Sequence, residues 1–116
     1  MKSLATITEK DIEIITMALN DSISDINNEL KEEMTEKKRV ALLDFKNKYS
    51  KVYAKLRQNP SIYSLSEAEL DITAGGLNDA IQLIEENLTD DLIGKEREEI
   101  LDYKNTCNNL VELLAS

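Results

Sequence analysis

Residues 7–30 read ITEKDIEIITMALNDSISDINNEL and residues 65–88 read LSEAELDITAGGLNDAIQLIEENL. Laid over one another at an offset of 58, they share Glu9/Glu67, Ile14/Ile72, Leu19/Leu77, Asn20/Asn78, Asp21/Asp79, Ile23/Ile81, Ile26/Ile84 and Leu30/Leu88. The same offset runs on without a gap to 56/114, adding Lys37/Lys95, Arg39/Arg97, Leu43/Leu101, Asp44/Asp102, Lys46/Lys104, Asn47/Asn105 and Leu56/Leu114. Apolar coincidences can follow from shared helical periodicity, but the eight polar ones have no such origin, so residues 7–56 and 65–114 are read as a tandem duplication. Two copies are too few for a solenoid, which needs about three repeats to bury its faces.

Each copy reads as helix, turn, helix. Thr8 followed by Asp11, and Ser66 followed by Glu69, carry a hydroxyl and a carboxylate at the spacing of a capping box. Behind the first cap, Ile12, Ile15, Leu19, Ile23, Ile26 and Leu30 recur every three or four residues; Leu70, Leu77, Ile81, Ile84 and Leu88 repeat the stripe. The second helix of each copy carries Leu42, Phe45, Tyr49, Val52 and Leu56, answered by Ile100, Tyr103, Cys107, Leu110 and Leu114. Turns are expected at 33–36 and 89–94, and Asn59-Pro60 breaks the chain, leaving 58–64 as the connector between hairpins. Short turns impose antiparallel neighbours. The expected fold is therefore all-α, one domain over 1–116 made of two helical hairpins, most economically a four-helix bundle. Hairpins splayed apart and paired across a dimer satisfy the same pattern.

Antiparallel packing about each turn would set Asp21 opposite Asn47, and Asp79 opposite Asn105. The plain expectation is an interhelical hydrogen bond that fixes hairpin register. A repeated ligand site is the sharper alternative.

Composition narrows the function. At 116 residues, 41% hydrophobic and 32% charged, the chain suits a single small core rather than a scaffold around a deep catalytic cavity. Histidine is absent, which removes the commonest general base and metal ligand. Cys107, the lone cysteine, has no imidazole partner and replaces Tyr49 on a core stripe, so it is read as a buried, inert thiol. The acidic pairs Glu32/Glu33, Glu85/Glu86, Asp90/Asp91 and Glu98/Glu99 are mostly adjacent, and adjacent helical residues diverge by about 100°. Residues 89–94 lack the alternating oxygens of an EF-hand, and there is no glycine-rich phosphate loop. No catalytic residue, metal or cofactor is expected. Without an apolar leader or a span of about 20 apolar residues, the expected location is the cytoplasm, away from membranes.

Charge separates the copies. Residues 1–58 hold eleven Lys and Arg against ten Asp and Glu, net +1, whereas residues 59–116 hold three against thirteen, net −10. Complementary hairpins could attract each other, within a chain or head to tail. An acidic hairpin could also imitate nucleic-acid phosphates toward a basic protein. Direct nucleic-acid binding is disfavoured, because the lysines at 37, 48, 51 and 55 lack interleaved aromatics and the whole molecule repels phosphate.

Gly75 and Gly76 stand where the first copy has Met17 and Ala18, at a cost of about 1 kcal/mol per helical glycine relative to alanine. Close helix approach or a kink explains them most simply; a hinge is the functional alternative. At 100° per residue, Ile72, Gly76 and Leu83 gather opposite the core stripe, with Asp71, Asp79 and Glu86 as a charged rim. Incidental surface apolars or a wider core would account for this second face; a partner helix lying against Gly76 would use it. Ile72, Gly76, Asp79, Leu83 and Glu86, together with Lys48, Lys51 and Lys55, are thus the candidate partner-binding residues. The expected function is non-enzymatic binding of another protein, most concretely as an inhibitor, antitoxin or immunity-type protein of phage or mobile-element character. The alternative is a structural or assembly component acting as a homo-oligomer.

Overall fold

The structure, a computed structural model, describes residues 4–88 and 93–115. Four helices form, α1 Glu9–Glu29, α2 Glu36–Gln58, α3 Glu67–Asn87 and α4 Lys95–Ala115, and no strand occurs among the described residues. Both capping boxes close. The Thr8 hydroxyl accepts from the Asp11 N–H at 3.1 Å while the Asp11 carboxylate accepts from the Thr8 N–H at 3.0 Å. Ser66 and Glu69 repeat this at 3.2 and 2.9 Å. Thr35 caps α2 in turn, accepting from Lys38 N–H. Most of the turn expected at 89–94 lies outside the described residues; at its end, Gly94 takes φ +67, which a side chain would resist.

The repeat is carried by the backbone further than by residue identity. The bounds of α1 and α3 coincide at the offset of 58, and so do two short 3-10 turns, Leu4–Thr6 and Ile62–Ser64. These turns precede the identities, because Leu-Ala-Thr and Ile-Tyr-Ser share a conformation and a leading aliphatic residue rather than a sequence. Ile62 and Leu65 are buried, so the connector after Pro60 is anchored in the core.

The helices are paired as hairpins, α1 with α2 and α3 with α4, and the hairpins meet through α1 and α3. Overall extents are 43 × 39 × 25 Å. Helices of this length run about 31–35 Å, so two dimensions exceeding one helix length mean hairpins laid crosswise. At the crossing the Ser22 hydroxyl donates to the Gly76 carbonyl at 2.8 Å, both residues buried. The core includes Ile15, Leu19, Val52, Leu56, Leu77 and Cys107, mainly aliphatic as the composition implies, with Tyr49 as its one aromatic ring among the described residues.

Two readings of the sequence need correction. Phe45, placed on the core stripe of α2, is 48% exposed. On the second apolar side of α3, Ile72 and Gly76 are covered by the chain itself, because α3 is a central helix touched by α1 and α2 as well as α4, whereas Leu83 remains partly open. Ile72 is half-buried against the core and Gly76 is buried, where a Cβ would lie 2.6 Å from Leu19 Cδ2. The close approach that glycine permits at 76 is thus used by α1, not left open for a partner helix.

Candidate interaction site

Among the described residues the duplicated aspartates form no hydrogen bond with Asn47 or Asn105. Each instead accepts a tyrosine hydroxyl from the other hairpin. Tyr49 of α2 donates to Asp79 of α3 at 2.6 Å, and Tyr103 of α4 donates to Asp21 of α1 at 3.2 Å. The tyrosines are not equivalent in the repeat, since Tyr49 aligns with Cys107 and Tyr103 with Phe45. Burial first, then the facing carboxylate, hold the Tyr49 hydroxyl well above the ordinary phenol range. Tyr103 is raised likewise, by burial first, then by Cys107 and Asp21. The Cys107 thiol, fully buried beside Tyr103, is pushed up to about 11 by burial and by the charge of Asp21, against a lowering hydrogen bond from Tyr103.

Beyond the crossing, the C-terminal halves of α1 and α3 bound two open grooves. The first, about 500 Å³, lies between them and α2. Ile26, Leu42, Phe45 and Leu83 supply its apolar surface, with Tyr49 and Gly75 at one end; Asp25, Glu29, Asp79 and Glu86 supply four carboxylates. Lys48, paired with Asp44 at 2.9 Å, stands 6.0 Å from the Phe45 ring centroid beside this groove. The second groove, about 430 Å³, lies between α1, α3 and α4 and includes Asp21, Ser24, Asp25, Asn28, Leu83, Ile84, Asn87, Ile100 and Tyr103.

These grooves are related by the repeat. Advancing Asp25, Ile26, Glu29, Leu42 and Phe45 by 58 gives Leu83, Ile84, Asn87, Ile100 and Tyr103; moving Asn78, Asp79, Gln82, Leu83 and Glu86 back gives Asn20, Asp21, Ser24, Asp25 and Asn28. All but Asn20 line the second groove. Asp25 and Leu83, equivalent to each other, belong to both and form the ridge between them. What differs is charge, since Glu29 and Glu86 become Asn87 and Asn28.

Of the sequence-derived candidates, Asp79, Leu83 and Glu86 come together in the first groove. Gly76 lies beneath it in the helix crossing, and Ile72 packs toward the core. The three lysines are exposed but dispersed in role: Lys48 pairs with Asp44, Lys55 with Glu69 at 2.7 Å, and Lys51 makes no ion pair among the described residues. Asp25, Glu29, Leu42 and Phe45 were missed as groove residues. A signal existed for Glu29 alone: neither α1 nor α3 has a basic residue in its last turn, where the macrodipole favours one, and both have glutamates there instead.

Among the described residues, no cluster of three or more potential ligands could hold a metal ion. No helix among them is long and apolar enough to cross a membrane. No protein-family model matches this chain, and neither a curated protein nor a solved structure matches it.

Proposed function

We propose that this protein acts without catalysis, by binding another protein through the acidic groove between α1, α2 and α3. An inhibitor, antitoxin or immunity-type role, of the sort encoded by phages and mobile elements, is the most concrete version. One observation carries the reading. An apolar surface of Ile26, Leu42, Phe45 and Leu83 is edged by Asp25, Glu29, Asp79 and Glu86. Glu29 and Glu86 sit in the last turns of their helices, where the macrodipole already concentrates negative potential, and neither has an ion-pair partner among the described residues. Carboxylates so placed cost stability in the free protein and repay it against a basic partner, whose approach they also accelerate.

The test is affinity purification of the tagged full chain from its source cells, beside a Leu83→Arg variant. The reading expects one stoichiometric foreign protein, released by salt and absent with the variant. Recovery of the chain alone at high mass would transfer the function to self-assembly. That second reading has its own support in α2, whose lysines lie on a helix that also exposes Val40 and Leu43, 57% and 41% accessible.

A further inference from the structure

The two grooves on either side of the Asp25–Leu83 ridge have equivalent walls, equivalent positions and different charge. We propose that they are a duplicated helix-docking site that takes one partner by two neighbouring amphipathic helices, a strongly basic one in the first groove and a polar one of lower charge in the second. This rests on the acidic groove being a protein-binding site and goes beyond it by giving the second groove an occupant.

The walls of both grooves are helices, and the ridges of such walls accept a further helix between them. In the first groove Asp25, Glu29 and Glu86 are complementary to lysine and arginine, while Asp79 is engaged by the Tyr49 hydroxyl. In the second, the positions of both glutamates are occupied by Asn87 and Asn28, whose amides offer donors and acceptors without charge. Asp21 there is engaged by the Tyr103 hydroxyl, as Asp79 is by Tyr49, so that the shared Asp25 is the one carboxylate of this lining without such a bond. Beside these amides, Leu83, Ile84 and Ile100 supply an apolar surface comparable to that of Ile26, Leu42 and Leu83 in the first. Because Asp25 and Leu83 are shared, the occupants of the two grooves must be neighbours. A single partner presenting both helices therefore gains the advantage of linked binding. Glu29 and Glu86 on one side, and Asn87 and Asn28 on the other, are the specificity-determining pairs.

The experiment uses the full chain with three synthetic helical peptides: a leucine/lysine helix, a leucine/glutamine helix, and the two joined by a flexible linker. Affinities come from calorimetry, and locations from backbone amide shifts. The lysine helix should shift α1, α2 and α3 around Glu29 and Glu86, and the joined peptide should bind about tenfold tighter or more while also shifting α4 around Ile100. Asn28→Glu with Asn87→Glu should raise the stoichiometry for the lysine helix from one to two; Glu29→Asn with Glu86→Asn should abolish the first site. All four positions lie on helix surfaces, and the circular-dichroism spectrum reports whether folding survives. If the lysine helix binds in the first groove but linkage adds nothing and the exchanged pair creates no second site, the duplicated-site proposal is overturned while the acidic-groove reading stands. Failure of the lysine helix to bind the unaltered chain at low salt overturns both.

Discussion

The Tyr49 hydroxyl crosses from the first hairpin to the Asp79 carboxylate of the second, 2.6 Å away, and joins the side of the acidic groove to the seam between hairpins. Its counterpart, Tyr103 to Asp21, is longer at 3.2 Å and more exposed. A hydrogen bond to a charged acceptor contributes about 1.5–3 kcal/mol, less when the carboxylate can return to water, as exposed Asp79 can. Tyr49→Phe should therefore cost about 1–2 kcal/mol in urea unfolding and Tyr103→Phe less than about 1 kcal/mol. Losses near zero at both positions would mean that ring packing, not the hydroxyl, holds the seam.

Alkaline pH should loosen the same seam. Tyr49, Tyr103 and Cys107 all have folded-state values raised above their ordinary ones, so the fold prefers their neutral forms. Their contribution is fully present below the unfolded values and is lost as pH rises through the folded ones, a window that opens near 9 to 10. Thermal melts should show a decline above pH 10 that Tyr49→Phe with Tyr103→Phe reduces.

Adjacent glycines should respond in opposite directions. At Gly75 an added Cβ meets the Tyr49 hydroxyl oxygen at 3.6 Å, an ordinary contact, so Gly75→Ala should gain about 0.5–1 kcal/mol from helix propensity. At Gly76 the Cβ would fall 2.6 Å from the buried Leu19 side chain, and overpacking of about 1–3 kcal/mol should outweigh that gain. Paired denaturation curves decide it; stabilisation at both would show that Leu19 yields freely.

Glu29→Asn and Glu86→Asn should each stabilise the free protein by about 0.3–1 kcal/mol, since each removes a carboxylate from the negative end of a helix. The gain should shrink in high salt. A loss of stability would point to an intramolecular role for these glutamates.

Cys107 should resist an aromatic disulfide reagent at pH 8 until the protein unfolds, being 0% exposed with its thiol raised to about 11. Rapid labelling of the native chain would contradict that burial.

The helices were legible because their determinants are local. Caps at Thr8 and Ser66 and stripes at spacings of three and four need no tertiary information. The offset of 58 carried over to the bounds of α1 and α3. Asp21 and Asp79 stood out as duplicated polar residues, but their partners did not, because the hydroxyls that bind them sit one helical turn apart in the two copies. Which side of α3 faces its own chain depends on how the hairpins cross, and no single helix encodes that. Phe45 followed the periodicity and still emerged at a groove, since α2 leaves the core near its N-terminal half.

Gly76 bears on how the two halves choose each other. Its position in the first copy is Ala18, whose methyl group, were the first hairpin to pair crosswise with a second copy of itself, would fall where a Cβ at 76 meets Leu19 at 2.6 Å. A dimer of first hairpins would meet that clash twice. The chain itself avoids it at position 76, because Gly76 brings no side chain against Leu19. The missing methyl group at 76 thus favours the mixed pair over a pair of first hairpins, and gives the first hairpin a preferred mate in the second.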